Sequence, residues 1–140
     1  MKSPLIAIIV PTYNHEKFIG RCLRSLINQN IARDKYEIIV IDDGSTDKTR
    51  SALNVFMNDI VYIRNEQNMG LPAAINKGIA STRSPYVVRV DSDDYVNEHF
   101  LSVLFMFLSE NREIDAVSCD YLLVNDREEV IGRKNCMDEP

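Results

Sequence analysis

The sequence predicts an α/β protein with a doubly wound, mostly parallel sheet and a C-terminal β-hairpin. Short runs of branched apolar residues recur along the chain, and their nearly continuous apolarity is typical of strands covered on both faces. Segments of about 10 to 15 residues with helical periodicity separate these runs. This alternation implies βαβ units joined by right-handed crossovers, since parallel neighbours need a long connection.

Five strands and four helices are predicted in alternation. The strands are LIAIIV (5–10), YEIIVI (36–41), IVYIR (60–64), YVVRV (86–90) and IDAVSC (114–119). The first helix follows from one apolar stripe, formed by Phe18, Ile19, Cys22, Leu23, Leu26 and Ile27. Further helices are predicted over 46–58, 71–83 and 97–109.

The chain after the fourth strand contains two more features. The helix at 97–109 is apolar on more than one side, so we expect it to be covered on two sides. The cover would be either this domain itself or a packing partner, which is the rest of a longer chain or a second subunit. The segment DYLLVNDREEVIGR predicts a β-hairpin that turns around Asn125 and Asp126.

Length and composition predict one domain over residues 1–140. A chain of 140 residues is in the common range for a single domain, and 45% hydrophobic with 26% charged residues is ordinary for a globular protein. No run approaches the roughly 20 apolar residues of a membrane helix. Because MKSPLIAIIVPTYN lacks a small-residue cleavage site, we expect a cytoplasmic protein, with the inner face of the membrane included.

Charge and cysteine content exclude several classes of protein. Residues 1–90 carry 12 basic and 8 acidic side chains, whereas residues 91–140 carry 4 and 13, so the two parts have net charges of +4 and −9. The acidic part argues against a nucleic-acid partner and is compatible with a bound cation or a solvated surface. The three cysteines are widely spaced without a CxxC pair, which supports neither a disulfide framework nor a zinc site.

Polar residues follow the predicted strands, where doubly wound sheets bind ligands. The first strand ends in Pro11, Thr12, Tyr13 and Asn14. The Tyr13 ring could face a nucleobase and Asn14 could cap the next helix, although a plain strand-to-helix turn has the same sequence.

The second strand ends in IDDGSTDKT, which contains Asp42, Asp43 and the turn residue Gly44. One acid can cap a helix. The other needs hydrogen-bond donors or a cation, since an unpaired buried carboxylate is costly, and a base or ribose would supply such donors.

The third connection, NEQNMGLPAAINKGI, places Asn68 and Gly70 before a helix that carries Lys77. Lys77 could approach a diphosphate or lie in solvent. The fourth strand ends in VDSDD, where Asp91 and Asp93 point to the same side if the backbone stays extended. Two such carboxylates fit a hard divalent cation or an acidic turn that caps a helix.

In combination, these motifs resemble a known family. PTYN, IDDGSTDKT, NMG followed by AINKGI, and the DxD-containing DSDD occur in the order and approximate spacing of inverting family 2 glycosyltransferases of the GT-A fold, over about residues 5–110. The resemblance implies a nucleotide-sugar-binding N-terminal part and transfer of a hexosyl or related sugar from a nucleoside diphosphate donor, with a UDP-sugar expected. Mn²⁺ or Mg²⁺ would assist, and the acceptor would be a saccharide or lipid-linked hydroxyl in polysaccharide biosynthesis.

The resemblance also assigns residues. Pro11, Thr12 and Tyr13 would line the base pocket, and Asp42 would accept a hydrogen bond from the base ring. Asp93 would ligate the metal ion, and Asp91 would lie near the ribose or the metal ion. The residues expected to bind the nucleotide sugar are Pro11, Thr12, Tyr13, Asp42, Asp43, Asn68, Gly70, Lys77, Asp91 and Ser92. We expect Asp94 to cap the following helix.

The chain departs from the family pattern in places. Ile75 stands where an Arg is frequent, and Ser84 and Pro85 replace a Gly followed by an acid. No segment after Cys119 matches the acceptor half, so the catalytic base is expected beyond residue 140 and the domain is expected to be truncated before that half. The alternatives are a non-catalytic nucleotide-sugar-binding fragment and a DxD phosphotransferase of the haloacid dehalogenase type, whose motif however follows the first strand.

Overall fold

The computed structural model describes residues 4–136 and divides the chain into two compact units, with the boundary between Leu101 and Ser102. The first unit contains strands β1 (Ile6–Thr12), β2 (Tyr36–Asp42), β3 (Val61–Arg64) and β4 (Tyr86–Arg89) and helices α1 (Ile19–Ile27), α2 (Thr49–Leu53) and α3 (Leu71–Ala80). Helix α4 (Phe100–Glu110) crosses the boundary and is followed by strands β5 (Tyr121–Val124) and β6 (Val130–Lys134). Short 3₁₀ turns lie at Arg33–Lys35 and Asn54–Phe56.

The four-stranded sheet is parallel throughout and has the order β3-β2-β1-β4. The chain moves outward from β1 to β2 and β3, then returns to place β4 on the other side of β1. This reversal confirms the predicted doubly wound α/β sheet. It also creates a topological switch point between β1 and β4, where sheets of this kind bind ligands.

The core of the first unit lies around the two central strands. Every residue of β1 is buried, whereas the edge strands β3 and β4 are only partly covered. One face of the sheet packs on α3, through a cluster formed by Ala7, Ile9, Ile39, Ile41 and Ala74. Side chains alternate along a strand, so Ile8 and Val10, which are also fully buried, point to the opposite face. The predicted stripe of α1 is buried at Ile19, Cys22, Leu23 and Leu26.

Gly78 lets α3 approach the sheet closely. A Cβ atom at this position would lie 2.5 Å from Cγ2 of Ile9, a branched side chain in the core. We therefore expect Gly78→Ala to lower the free energy of unfolding by about 1–3 kcal/mol through overpacking, even though alanine favours the helix by about 1 kcal/mol. Urea unfolding monitored by circular dichroism measures this change.

Gly20→Ala is the matched control for that substitution. A Cβ atom at Gly20 on α1 would approach only the flexible guanidinium of Arg24, at 3.4 Å, and the Phe56 ring at 3.9 Å. The control is expected to be neutral or slightly stabilising. Equal stability of the two variants would contradict the packing of α3 described above.

Two element predictions are corrected by the structure. Residues 114–119 form no strand, because a strand needs a paired neighbour and within residues 4–136 no ladder includes them. The predicted helix over 46–58 is shorter, and α2 passes into a 3₁₀ turn at Asn54.

The predicted hairpin is confirmed in the second unit. Strands β5 and β6 pair antiparallel, with Tyr121 opposite Lys134. The turn is held by Asn125, whose Oδ1 accepts hydrogen bonds from the backbone N–H groups of Arg127 (2.9 Å) and Glu129 (3.0 Å). Asn125 therefore fixes the turn where the sequence predicts it.

Helix α4 exposes several apolar side chains. Among the described residues of α4, only Leu101 is buried. Val103, Met106 and Phe107 are 53%, 54% and 43% exposed. The predicted packing partner for 97–109 stays a prediction. No helix within residues 4–136 combines the length and apolarity needed to cross a membrane.

The cysteines are free thiols and differ in accessibility. Cys22 is buried on α1, and burial, followed by the nearby carboxylates of Asp94, Asp93 and Asp91, raises its pKa to about 12. Cys119 and Cys136 are exposed. Within residues 4–136 the cysteines form no disulfide.

Candidate functional site

A cleft of about 480 Å³ opens at the carboxyl ends of β1, β2 and β4, at the switch point of the sheet. All of its lining residues belong to the first unit. They are Pro11, Thr12, Tyr13, His15, Asp43, Asn68, Gly70, Leu71, Ala74, Arg89, Asp91, Ser92 and Asp93.

The cleft gathers most of the residues that the sequence predicts for the site. The predicted residues that line it are Pro11, Thr12, Tyr13, Asp43, Asn68, Gly70, Asp91, Ser92 and Asp93. Asp42 and Lys77 do not line it. Four lining residues were not predicted, namely His15, Leu71, Ala74 and Arg89.

Simple spacing could have found three of the four unpredicted residues. Arg89 and Asp91 are two apart at the end of β4, so an extended backbone points both to one side. Leu71 and Ala74 are three apart in the first turns of α3 and share a helix face. His15 carries no comparable signal, because its role depends on Ser92, 77 residues further on.

The loop after β1 is tied to the loop after β2 by Asn14. Asn14 has a φ of 55° and its Oδ1 accepts hydrogen bonds from the backbone N–H groups of Thr46 (2.8 Å) and Asp47 (3.3 Å). Helix α1 begins only at Ile19, so the prediction that Asn14 caps it is wrong. The amide instead fixes the wall of the cleft that carries Tyr13.

Thr12 places a buried polar atom at the cleft. Its side chain is 3% exposed, and within the described chain its hydroxyl has no hydrogen-bond partner. A buried hydroxyl without a partner is unfavourable by about 1–3 kcal/mol. Since Thr12 borders the cleft, a polar ligand there could remove this cost.

Asp42, for which the sequence predicts hydrogen bonds from a base ring, does not line the cleft and is a structural acid in this fold. The residue is fully buried, with Oδ1 accepting from the Ser45 N–H at 2.8 Å. Its Oδ2 accepts from the Tyr62 hydroxyl at 2.7 Å and from Arg64 at 3.2 Å. Burial, followed by the hydrogen bond to Asp42, raises the pKa of the Tyr62 phenol. These three donors enclose the Asp42 carboxylate within the fold.

Asp43 is the acid that borders the cleft. Its Oδ1 accepts hydrogen bonds from Asn65 Nδ2 (2.6 Å) and the Met69 N–H (2.9 Å), and Oδ2 accepts from the Gly70 N–H (2.8 Å). These bonds hold the loop that precedes α3. Gly44 allows this approach, because its φ is +78° and a Cβ there would lie 2.7 Å from the carbonyl carbon of Gln67.

Lys77, for which the sequence predicts an approach to a diphosphate, does not line the cleft. Its ammonium donates to Asn65 Oδ1 at 2.5 Å and lies 3.5 Å from the Arg64 carbonyl oxygen. Side chains on a helix lean toward its N-terminus, and this direction carries Lys77 to the end of β3.

The turn after β4 is held by two side-chain contacts. Arg89 donates to both oxygens of Asp91, with Nε to Oδ1 at 2.7 Å and Nη2 to Oδ2 at 2.6 Å. Ser92 is buried, and its Oγ lies 2.6 Å from Nδ1 of His15. The backbone between Asp91 and Asp93 is thereby fixed from β4 and from the loop after β1.

Arg21, on helix α1, partly compensates the negative charge of the acidic turn, which contains Asp91, Asp93 and Asp94. Its Nη2 donates to the Asp93 carbonyl oxygen at 3.0 Å, and its guanidinium lies 4.4 Å from the centre of the Tyr95 ring. The pKa of the Asp94 carboxyl is raised by burial first and then by Asp93 and Asp91, while Arg21 and Arg89 oppose the shift. The repulsion expected among crowded acids is therefore present but partly neutralised.

Asp94 does not cap a helix, contrary to prediction. Helix α4 begins at Phe100, and the side chain that accepts a backbone N–H just before it is Asn97, from His99 at 2.8 Å. Asp94 instead closes the acidic turn through its own N–H, which donates to the Asp91 carbonyl oxygen at 3.0 Å.

The chemistry of the donor set at the cleft fits a hard divalent cation whose ligand supplies most of the coordination. No group of three His, Cys, Asp or Glu residues within residues 4–136 could enclose a metal ion. Mg²⁺ and Mn²⁺ sites on phosphate ligands need only one or two protein carboxylates. Asp93 is exposed at the cleft and suits this role, whereas both oxygens of Asp91 are engaged by Arg89.

Comparison with known proteins identifies the family. The family model described as glycosyl transferase family 2 matches residues 7–134. A poly(ribitol-phosphate) beta-glucosyltransferase from Bacillus spizizenii is 39% identical over 111 residues, which are 76% of this chain and 18% of that protein. The chain thus spans about a fifth of this relative.

Two solved structures share the fold. Staphylococcus aureus TarS (residues 1–349) in complex with UDP-GlcNAc has a TM-score of 0.72 and 34% identity, over 76% of this chain and 32% of that chain. The mannosyltransferase PcManGT from Pyrobaculum calidifontis, in complex with GDP-Man and Mn²⁺, has a TM-score of 0.71 and 25% identity, over 91% of this chain and 38% of that one. The chain belongs to glycosyl transferase family 2.

Proposed function

We propose that this chain forms the donor-binding part of a glycosyltransferase that uses a nucleoside diphosphate sugar and a divalent cation. The observation that carries the proposal is the cleft itself, which unites residues from PTYN, IDDG, NMG and DSDD at the switch point of the sheet. The sugar would pass to a hydroxyl acceptor with inversion. UDP is the expected nucleotide, since TarS was solved with UDP-GlcNAc, and GDP is the competing one, since PcManGT was solved with GDP-Man.

The base and ribose would lie against the end of β1 and Asp43. Tyr13 presents an exposed ring beside the buried, unpartnered Thr12 hydroxyl. Asp43 takes the role predicted for Asp42. A carboxylate has about four acceptor sites, and the bonds from Asn65, Met69 and Gly70 leave capacity on Oδ2 for an N–H of the base.

The diphosphate would lie toward the turn after β4. Asp93 would hold Mn²⁺ or Mg²⁺, and the ion, when bound, would stabilise negative charge on the nucleoside diphosphate leaving group. Arg89 presents a guanidinium at the same cleft, and this group suits phosphate oxygens. Asp91, held by Arg89, would then face the ribose hydroxyls rather than ligate the ion.

The acceptor side is proposed from the relatives alone. The name of the Bacillus spizizenii enzyme indicates a polyol-phosphate polymer, which favours a saccharide or polymer hydroxyl as acceptor and a role in polysaccharide biosynthesis. We assign no residue of this chain as the base that deprotonates this hydroxyl. The DxD phosphotransferase alternative is disfavoured, since its nucleophilic acid would lie at the end of β1, where this chain has Thr12 and Tyr13.

A thermal-shift panel tests the proposal. We expect UDP with Mn²⁺ to raise the melting temperature more than UDP alone, because a ligand that binds only the native state stabilises it. GDP, TDP and CMP, each with and without Mn²⁺, report the choice of base. No shift with any nucleotide would contradict the proposal.

Hydrolysis of UDP-GlcNAc, measured on the same sample, separates an enzyme from a binding module. Release of free UDP would indicate that the chain catalyses donor cleavage. Binding without release would support the alternative of a non-catalytic nucleotide-sugar-binding part.

A further inference from the structure

We infer that Lys77 is a positioning residue that acts through Asn65 on Asp43, and so controls the loop that borders the base side of the cleft. Lys77 Nζ donates to Asn65 Oδ1 at 2.5 Å, and Asn65 Nδ2 donates to Asp43 Oδ1 at 2.6 Å. The inference rests on the proposed function, in which Asp43 receives the base.

The chemistry of the three groups determines the direction of this relay. A carboxylate only accepts hydrogen bonds and an ammonium only donates them, whereas an amide presents one end of each kind. Asn65 therefore satisfies both neighbours in a single orientation, with its oxygen toward Lys77 and its NH₂ toward Asp43. A flipped amide would place oxygen against oxygen and NH₂ against ammonium.

Burial makes the relay consequential at Asn65. The residue is 8% exposed, and its backbone N–H also donates to the Asp42 carbonyl oxygen at 2.8 Å. Lys77 approaches from the surface of α3. Without its ammonium, the buried Asn65 oxygen loses a charged donor, and hydrogen bonds to charged groups are the stronger ones.

The effect reaches the cleft through the other contacts of Asp43. The same Oδ1 that accepts from Asn65 accepts from the Met69 N–H, and Oδ2 accepts from the Gly70 N–H. Gly70 lines the cleft and precedes α3 with a φ of 88°. Lys77 thus stabilises the position of a cleft loop that its own side chain does not line.

The first test needs no ligand. Amide hydrogen exchange at Met69 and Gly70 should be several-fold faster in Lys77→Met than in the wild type, because Asp43, which accepts from both amides, is less firmly held. Lys77→Arg keeps a donor and should restore slow exchange. Lys35→Met, an exposed lysine before β2, is the control and should leave both amides unchanged. Unchanged exchange in Lys77→Met would overturn the inference whether or not the chain binds nucleotides.

The second test separates the relay from a direct contact with phosphate. Lys77→Met should lower the affinities for uridine and for UDP to a similar extent, about three- to tenfold, because the relay acts on the base side of the cleft. A loss for UDP with none for uridine would mean that Lys77 touches the diphosphate, and would overturn the relay. Wild-type protein in the same titrations reports separately on the proposed function.

A double-mutant cycle tests the route. Asn65→Ala removes the middle group, so Lys77→Met should produce no further loss of UDP affinity in that background. If the fold losses of UDP affinity from the two substitutions multiplied in the double variant, Lys77 would act independently of Asn65, contrary to the inference.

Discussion

Replacing Asp42 with alanine is expected to lower the free energy of unfolding by about 3 kcal/mol. The substitution leaves the Ser45 N–H, the Tyr62 hydroxyl and the Arg64 guanidinium without their shared acceptor. Breaking a buried ion pair is typically unfavourable by about 3–5 kcal/mol. The lower end applies, because the Arg64 side chain is 36% exposed and water can replace part of the lost contact.

Urea unfolding with a matched control measures this effect. Asp34→Ala removes an exposed acid from the 3₁₀ turn before β2 and should change stability by less than about 0.5 kcal/mol. Tyr62→Phe removes one of the donors to Asp42 and should give an intermediate loss of about 1 kcal/mol. If Asp42→Ala were as stable as Asp34→Ala, Asp42 would not be the structural acid described here.

Asp43→Asn is expected to reduce affinity for UDP by at least about tenfold. Asparagine has the same shape, but its NH₂ group must face either the Asn65 and Met69 donors or the Gly70 donor. One side of the loop therefore loses its acceptor and meets a second donor. The base also loses the carboxylate proposed to receive its N–H, and a tenfold loss corresponds to about 1.4 kcal/mol.

Asp47→Asn is the control for this binding experiment. Asp47 also accepts backbone N–H groups, from Glu16 at 3.1 Å and Thr49 at 2.9 Å, but it does not line the cleft. The affinity of the Asp47→Asn variant for UDP, measured by isothermal titration calorimetry, should stay within about twofold of the wild-type value. An equal loss in both variants would mean that Asp43 has no special relation to the ligand.

The sequence was sufficient for the sheet and for the convergence of the motifs at one cleft. Continuous apolar runs predict β1 to β4, and parallel strands bring their carboxyl ends to one edge, so PTYN, IDDG and DSDD had to lie close together. Residues 114–119 could not be decided in this way. Their apolar run resembles a strand, but strand formation depends on a partner that lies elsewhere in the chain.

The division of roles between Asp42 and Asp43 was beyond sequence reasoning. Adjacent residues at the end of a strand point in opposite directions, so the pair must split, but the pattern does not say which acid is enclosed. Pairing with β3 determines which of the two acids is enclosed. Asp42 lies opposite Arg64 in the register, and Arg64 with Tyr62 closes around its carboxylate.

The acidic turn after β4 shows how electrostatics was only partly predictable. The sequence indicates that Asp91, Asp93 and Asp94 crowd together and invite a cation. It does not indicate that Arg89 holds Asp91 or that Arg21, from α1, contacts the turn. These partners lower the repulsion, and they leave Asp93 as the acid that we propose to hold a metal ion.

Metal-dependent binding of UDP to Asp93→Asn tests the central claim most directly. In calorimetric titrations, wild-type protein should bind UDP at least about tenfold more tightly with Mn²⁺ than with a chelator, which corresponds to about 1.4 kcal/mol. Asp93→Asn should bind UDP equally with and without Mn²⁺, while Asp34→Asn should behave as the wild type. Unchanged Mn²⁺-dependent binding in Asp93→Asn would contradict the proposal that this cleft is a metal-assisted donor site.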